Sequence, residues 1–525
     1  MDFPLPTECV EDVISNLEFN RDLFSALMVN REWCKFAVPI LWKNPFDNNN
    51  RENHCKKIIM RTYLSCLDQR SKLFLESNGV DLSCTSSSTA FDYASYLNYL
   101  PTTSLKFRIQ QYMFPQVGFC GSMLNEHQKT SNQIKMIFTI LCKLFISRSV
   151  ELKYIEFSDF GFDPLNVYSI PFATFEGANR SLANLQIFCC HGIPGKSNNA
   201  ATFISMSNVC KNISHLEITL STLNEAKGLA SLISVQNHLE HFKLVSDTRL
   251  ALTDDDIFGA ILRSLSTQKN TFRSIFLQNV SFTNVDFKSL AEFGNCKALR
   301  SMTFIECEDI QEKAFNAISK AFPLLEHVFY VTGPSEVPSQ SFCELFKTAQ
   351  LNVKSVSFDV EVFGLIGTIT RFCTKLEDIS INSNDPNEII LILSNCKELK
   401  YINFRGGEGI DANEIFIEMA RSISPKLEIL SLNMSFIDPW IFSPESLKIF
   451  LDSCKNTLEI FKIYHYNAPF SVQDSEDARI KTMNEEHFDV IRQSGITFHM
   501  DSDIWPRNTN VITTIDIPEL IKIVL

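Results

Sequence analysis

The sequence predicts an α/β chain in which a three-helix module, residues 1–47, precedes a curved repeat solenoid with parallel strands on its concave side and helices on its convex side. Two observations predict it: an apolar pattern that recurs from Leu152 to Leu458, and three amphipathic segments with capping signals near the start of the chain. At 525 residues the chain is too long for one compact core of ordinary size. Several domains or one elongated array are therefore required. A content of 45% hydrophobic and 21% charged residues is that of a folded chain, not a disordered one.

The recurring pattern is Φ-x-x-Φ-x-Φ, where Φ is a large apolar residue. It begins at Leu152 (LKYIEF), Leu182 (LANLQI), Ile213 (ISHLEI), Leu239 (LEHFKL), Phe272 (FRSIFL) and Leu299 (LRSMTF). It continues at Leu325 (LEHVFY), Val353 (VKSVSF), Leu376 (LEDISI), Leu399 (LKYINF), Leu427 (LEILSL) and Leu458 (LEIFKI). The mean step of about 28 residues lies within the range of leucine-rich repeats, whose units each give one short strand and one helix. The second and third Φ positions are two apart, so both lie on one face of a strand. A single unit cannot cover that face, whereas stacked neighbours cover it for one another. Residues 151–470 are read as about twelve such repeats. Residues 48–150 are read as a helical connector and N-terminal cap, and 471–525 as a C-terminal cap and tail.

In the first module, Thr7 is the expected N-cap of a helix carrying Val10, Val13, Ile14 and Leu17 at helical spacing. Asn20 is expected to cap a second helix with Leu23, Leu27 and Met28, and a third holds Trp33 and Phe36 before Pro39 ends it. Three short helices cannot by themselves bury that much apolar surface, so they need a partner. The segment LPTECVEDVISNLEFNRDLFSALMVNREWCKFAVPILW closely resembles the F-box motif. Leu5-Pro6, Ile14, Leu17, Asp22-Leu23, Val29, Trp33 and Leu41-Trp42 all fall in register with it. Asn30 stands where the family often has Cys or Ser. The resemblance implies docking on a Skp-type adaptor and, through it, on cullin and RING subunits of an SCF ubiquitin ligase. It also implies an adaptor-facing set of Leu5, Pro6, Val10, Ile14, Leu17, Leu23, Leu27, Val29, Trp33, Leu41 and Trp42. The segment LRSMTFIECEDIQEKAF, with Cys307 and Ile310, is similar to the cysteine-containing repeat of F-box proteins with leucine-rich repeats. The bland alternative is that the helices only cap the stack.

Charge and motif content exclude several other functions. A net charge of −13 argues against nucleic acid and anionic membranes, which need clustered Lys and Arg. The first residues lack a basic start and apolar core, so a cytoplasmic or nuclear chain with reduced cysteines is expected. The segment HGIPGKS, from His191, has Cys190 where a phosphate-binding loop needs Gly. Thr253-Asp254-Asp255-Asp256 lacks the glycine and closing glutamate of a calcium loop and reads as a helix cap. No C-x-x-C pair occurs, and Cys189-Cys190-His191 are adjacent in a strand, whose alternate side chains diverge. Cys210, Cys296, Cys373, Cys396 and Cys454 recur at one place in the repeat, as small apolar packing residues would. No cofactor, metal or catalytic constellation is expected.

The residue between the second and third Φ positions should face away from the core. It runs Glu156, Gln186, Glu217, Lys243, Phe276, Thr303, Phe329, Ser357, Ser380, Asn403, Ser431 and Lys462, mostly polar as a solvated face should be. Phe276 and Phe329 break the series and are expected to anchor a protein partner, together with His241, His327, Tyr401 and Tyr464. The expected function is therefore substrate recognition in an SCF-type ubiquitin ligase, without catalysis by this chain. The alternative is a scaffold or inhibitor built of the same repeats with no ligase role.

Overall fold

The computed structural model describes residues 6–17, 19–46, 53–114, 127–158, 171–192, 199–220, 222–246, 256–331, 336–435, 438–466 and 483–501. The chain divides into two compact units, Met1–Cys296 and Lys297–Leu525.

The first unit opens with α1 (Thr7–Ser15), α2 (Asn20–Leu27) and α3 (Arg31–Leu41). Their starts differ from the expected caps. Pro6 precedes α1, and the Thr7 hydroxyl instead donates to Glu32 Oε1 at 2.8 Å, tying α1 to α3. Phe19, not Asn20, precedes α2, and it offers no capping side chain. Asn30 is the cap that the module does use, with Oδ1 accepting from the Glu32 and Trp33 N–H groups at 2.9 Å. Pro39 sits inside α3 and does not end it. Its ring removes one helical N–H but its φ suits a helix, and only two more residues follow. Two further helices, α4 (Asn53–Ser65) and α5 (Gln69–Ser77), lead into the strands.

Six strands of this unit are all parallel and neighbour one another in chain order: β1 (Tyr99–Pro101), β2 (Tyr154–Ser158), β3 (Ile187–His191), β4 (His215–Leu220), β5 (His241–Ser246) and β6 (Ser274–Gln278). Helices alternate with them: α6 (Thr102–Met113), α7 (His127–Arg148), α8 (Ala178–Ser181), α9 (Ala200–Val209), α10 (Leu223–Ser234), α11 (Ile257–Leu265) and α12 (Phe287–Phe293). A capping box holds α10, where the Thr222 hydroxyl accepts from the Glu225 N–H and the Glu225 carboxylate from the Thr222 N–H. Asp256 caps α11 by accepting from the Gly259 N–H at 2.8 Å. The rest of the acidic run, Thr253 to Asp255, lies outside the described residues, as does most of HGIPGKS.

The second unit repeats the scheme with β7 (Ser301–Ile305), β8 (His327–Val331), β9 (Ser355–Phe358), β10 (Asp378–Asn382), β11 (Tyr401–Arg405), β12 (Ile429–Ser435), β13 (Ile460–Tyr466) and β14 (Thr497–Asp501), all parallel. Its helices are α13 (Glu312–Phe315), α14 (Ser339–Ala349), α15 (Leu365–Phe372), α16 (Asn387–Asn395), α17 (Asn413–Ser422), α18 (Pro444–Cys454) and α19 (Glu485–Ser494). Two strands, β1 and β14, extend the series beyond the twelve read from the sequence. Thr102 in the first and Gly495 in the second stand where the pattern needs a large apolar residue, so it does not register them.

The Φ side chains form the cores. They are buried in unit after unit of the repeat, and Leu239, Phe242, Leu244, Leu399, Ile402 and Phe404 are each no more than 1% exposed. Each such side chain transfers apolar area from water, which stabilises the fold by ~1.5–3 kcal/mol per fully buried Leu, Ile or Phe. The recurrent Cys210, Cys296, Cys373, Cys396 and Cys454 are fully buried. Burial pushes the thiols of Cys210, Cys373 and Cys454 up to about 12, so these stay protonated and inert. Cys307 and Ile310 are also buried. No helix of the described residues is long and apolar enough to cross a membrane.

One repeat was read in the wrong frame. Strand β3 begins at Ile187, and Glu156 is paired with Cys189, not with Gln186. The true unit is Leu185-x-x-Phe188-x-Cys190, three residues beyond LANLQI, with all three of these side chains buried. The local spelling fits both frames because Leu182, Leu185, Ile187, Phe188 and Cys190 are all apolar. Only pairing with the neighbouring strands selects between them.

Candidate functional site

The strand register sets side chains in rows. In the first unit one row runs Pro101, Glu156, Cys189, Glu217, Lys243, Phe276, each residue opposite the next. In the second unit the equivalent row runs Thr303, Phe329, Ser357, Ser380, Asn403, Ser431, Lys462, His499. These rows were expected to be solvated, but Glu217, Thr303, Ser357, Asn403 and Ser431 are buried. Neighbouring strands lie only about 4.8 Å apart, so a short polar side chain is overtopped by those on either side. Asn403 is held on both sides: its Nδ2 donates to Ser380 Oγ in the row at 3.0 Å, and its Oδ1 accepts from Asn433 Nδ2, two residues beyond Ser431 on β12.

The larger side chains stand above this layer. Phe276 on β6 and Phe329 on β8 are each half-buried, in the first and second units respectively. The Lys243 ammonium lies over the Phe276 ring, 5.2 Å from its centroid. His241 stacks on His215, with centroids 4.4 Å apart and planes inclined by 19°. His327 is exposed at the start of β8. Tyr401 lies in register with Asp378, and its phenol is pushed up to about 12, first by burial and then by Tyr464 and Asp378. Tyr464 is half-buried two residues beyond Lys462.

In the N-terminal module the structure redistributes the eleven residues singled out above. Val10, Ile14 and Leu23 are buried with Ala26 and Ala37, and Leu17, Leu27, Trp33 and Leu41 pack against them. Their stripes were expected to face a partner; instead the three helices turn them on one another and close a small internal core. Trp42 packs against Tyr93 and Tyr63, at 4.4 and 5.1 Å between ring centroids. Pro6 is exposed, and Leu5 lies outside the described residues. Among the outward side chains are Val13 at 47% exposure, Phe24 at 45%, Val29 at 55% and Met28 at 85%, with Phe19 also exposed. Of these, Val13, Phe19, Phe24 and Met28 were not among the expected contacts. Val13 and Phe24 flank the inner stripes of α1 and α2, and Phe19 and Met28 sit at the two ends of α2, so the apolar surface is wider than the stripes and its margin stays in solvent.

The fold and these surfaces define a class: a chain of α/β repeats preceded by a small helical module that leaves large apolar side chains in solvent. No protein-family model matches the chain. No curated protein matches it either.

Proposed function

We propose that this chain is the substrate-recognition subunit of an SCF-type ubiquitin ligase, with residues 1–47 docking on a Skp-type adaptor and the strand faces holding the protein to be ubiquitinated. The observation that carries the reading is the exposure of Val13, Phe24, Met28 and Val29 on a module whose spelling resembles the F-box. Such side chains gain by being covered, and an adaptor chain is the cover that the resemblance implies. Cullin and RING subunits would join through that adaptor, and ubiquitin transfer chemistry would belong to partner proteins.

The test is a pull-down of the full chain on a purified Skp-type adaptor. The wild type should be retained. Phe24→Asp with Met28→Asp should abolish retention without lowering the melting temperature, because both side chains are exposed. Pro6→Ala with Leu17→Ala should weaken retention as well. A folded wild-type chain that fails to bind would defeat the reading.

A second reading has its own support. Trp42 is held by Tyr63 and Tyr93, and the Asn98 and Tyr99 N–H groups donate to the Lys43 carbonyl at 3.0 and 3.2 Å. The end of the module thus joins the start of β1, as a simple cap would. In that reading the chain is a scaffold or inhibitor without a ligase role.

A further inference from the structure

Strands β3 and β4 bring three unlike metal donors together. Cys189 and His191 are two apart on β3 and so share a face, while Glu217 stands opposite Cys189 on β4. Cys189, Cys190 and His191 are adjacent in the chain, yet only Cys190 turns to the core, so Cys189 and His191 stay on the strand face. One donor atom from each of Cys189, His191 and Glu217 lies within 4.8 Å of the other two, and His191 Nε2 is 3.9 Å from Glu217 Oε1. Cys189 and Glu217 are buried, and the His191 side chain is 32% exposed, which leaves an approach from solvent.

We propose that Cys189, His191 and Glu217 form a zinc site on the strand face of the first unit, with three protein ligands and one open coordination position. The donor set selects the metal. A thiolate and an imidazole favour zinc over magnesium or calcium, which take oxygen donors, and zinc accepts Cys, His and Glu ligands, three of them with a fourth position open in its catalytic sites. Tetrahedral ligands about zinc stand about 3.3–3.8 Å apart by the usual bond lengths, so small rotamer changes close the site. Glu217 Oε1 also meets the Lys243 ammonium, the group a cation must displace from it. Lys243 has an alternative place over the Phe276 ring. Around the site, the Tyr154 hydroxyl donates to Glu156 Oε2 at 3.0 Å, and Glu156 stands opposite Cys189, supplying negative charge on the far side. On coordination the zinc–sulfur bond replaces the S–H bond and the proton leaves to solvent, with no change of oxidation state.

The probe is cobalt(II), added to the full reduced chain and then displaced by zinc. One equivalent should give thiolate-to-cobalt charge-transfer absorption and the visible bands of a tetrahedral ion. Cys189→Ser should remove the charge-transfer absorption. His191→Ala and Glu217→Gln should each weaken zinc binding by at least the roughly 10-fold that losing even an outer-sphere partner costs. Lys243→Met should tighten it, because the competitor for Glu217 is gone. A Cys9→Ser, Cys84→Ser chain, lacking two exposed thiols, should behave as wild type. Circular dichroism checks that each variant folds, and His191→Ala, at a solvent-facing position, decides the matter if Cys189→Ser does not fold. Absorption that is absent, or that survives Cys189→Ser, or Lys243→Met binding no tighter than wild type, would overturn the site. None of these readouts depends on the adaptor, so this inference and the ligase reading stand or fall separately.

Discussion

The indole of Trp440 occupies the space that a side chain on Gly406 would need. Trp440 is 1% exposed, its Nε1 donates to the Gly407 carbonyl at 2.9 Å, and a Cβ built on Gly406 would collide with the Cζ2 edge of the ring. The glycine after β11 is thus fixed by a ring from the next repeat. Gly406→Ala must push the indole out of its seat, and overpacking of this kind costs about 1–3 kcal/mol. A denaturant midpoint measured by Trp fluorescence should fall accordingly; an unchanged midpoint would show that the loop yields freely.

The stacked imidazoles of His215 and His241 make stability depend on pH. Burial, and then its neighbour His241, pushes His215 from its ordinary 6.5 down to about 3. Burial also lowers His241, opposed by Glu240 and assisted by Arg273. With the folded pKa below the unfolded one, the unfolded chain takes up the proton first, so stability is full above about 6.5 and declines as pH falls toward 3. Urea midpoints should drop between pH 7.5 and pH 5, taken as roughly spanning the unfolded histidine pKa. His215→Phe keeps a ring in the stack without a titrating nitrogen and should flatten that part of the profile. A wild-type profile that is already flat over this window would contradict the stack's role.

Phe276 and Phe329 are the aromatic members of their rows. If the rows hold a protein partner, Phe276→Ala with Phe329→Ala should weaken its capture at least tenfold, the scale of two anchor residues worth more than about 1 kcal/mol each. Adaptor binding by the same variant should be unaffected, since neither residue belongs to the N-terminal module. Co-purification from cells, quantified against wild type, reads the first effect, and equal capture by both proteins would remove these residues from the surface.

Much of the fold is legible along the chain because it is local. Within one repeat the spacing of three apolar residues specifies a strand, its inward face and its place before a helix, and eleven of the twelve starts coincide with the strands in frame. The exception at Leu182 arises where five apolar residues, Leu182 to Cys190, fit two frames. The site was less legible for the same reason. Reading Gln186 in place of Cys189 removed the cysteine from the row, and with it the convergence of Cys189, His191 and Glu217. In the N-terminal module Val10, Ile14 and Leu23 lie on the inner faces of their helices, whereas Val13 points outward and Leu17 and Met28 lie past the helix ends; a stripe does not say whether it meets its own chain or a partner.

What the sequence by itself determined is the repeat: an α/β unit of about 28 residues, its buried positions and a helical module ahead of it. These follow from the periods of strand and helix, which each residue obeys through its nearest neighbours in the chain. What only the tertiary structure decided is the register between strands, the burial of short polar side chains within the rows, and which side of the N-terminal helices stays in solvent. Register and burial within the rows depend on residues 23 or more positions apart, roughly one repeat, brought together by stacking, and the solvent side of the module depends on how its three helices pack on one another.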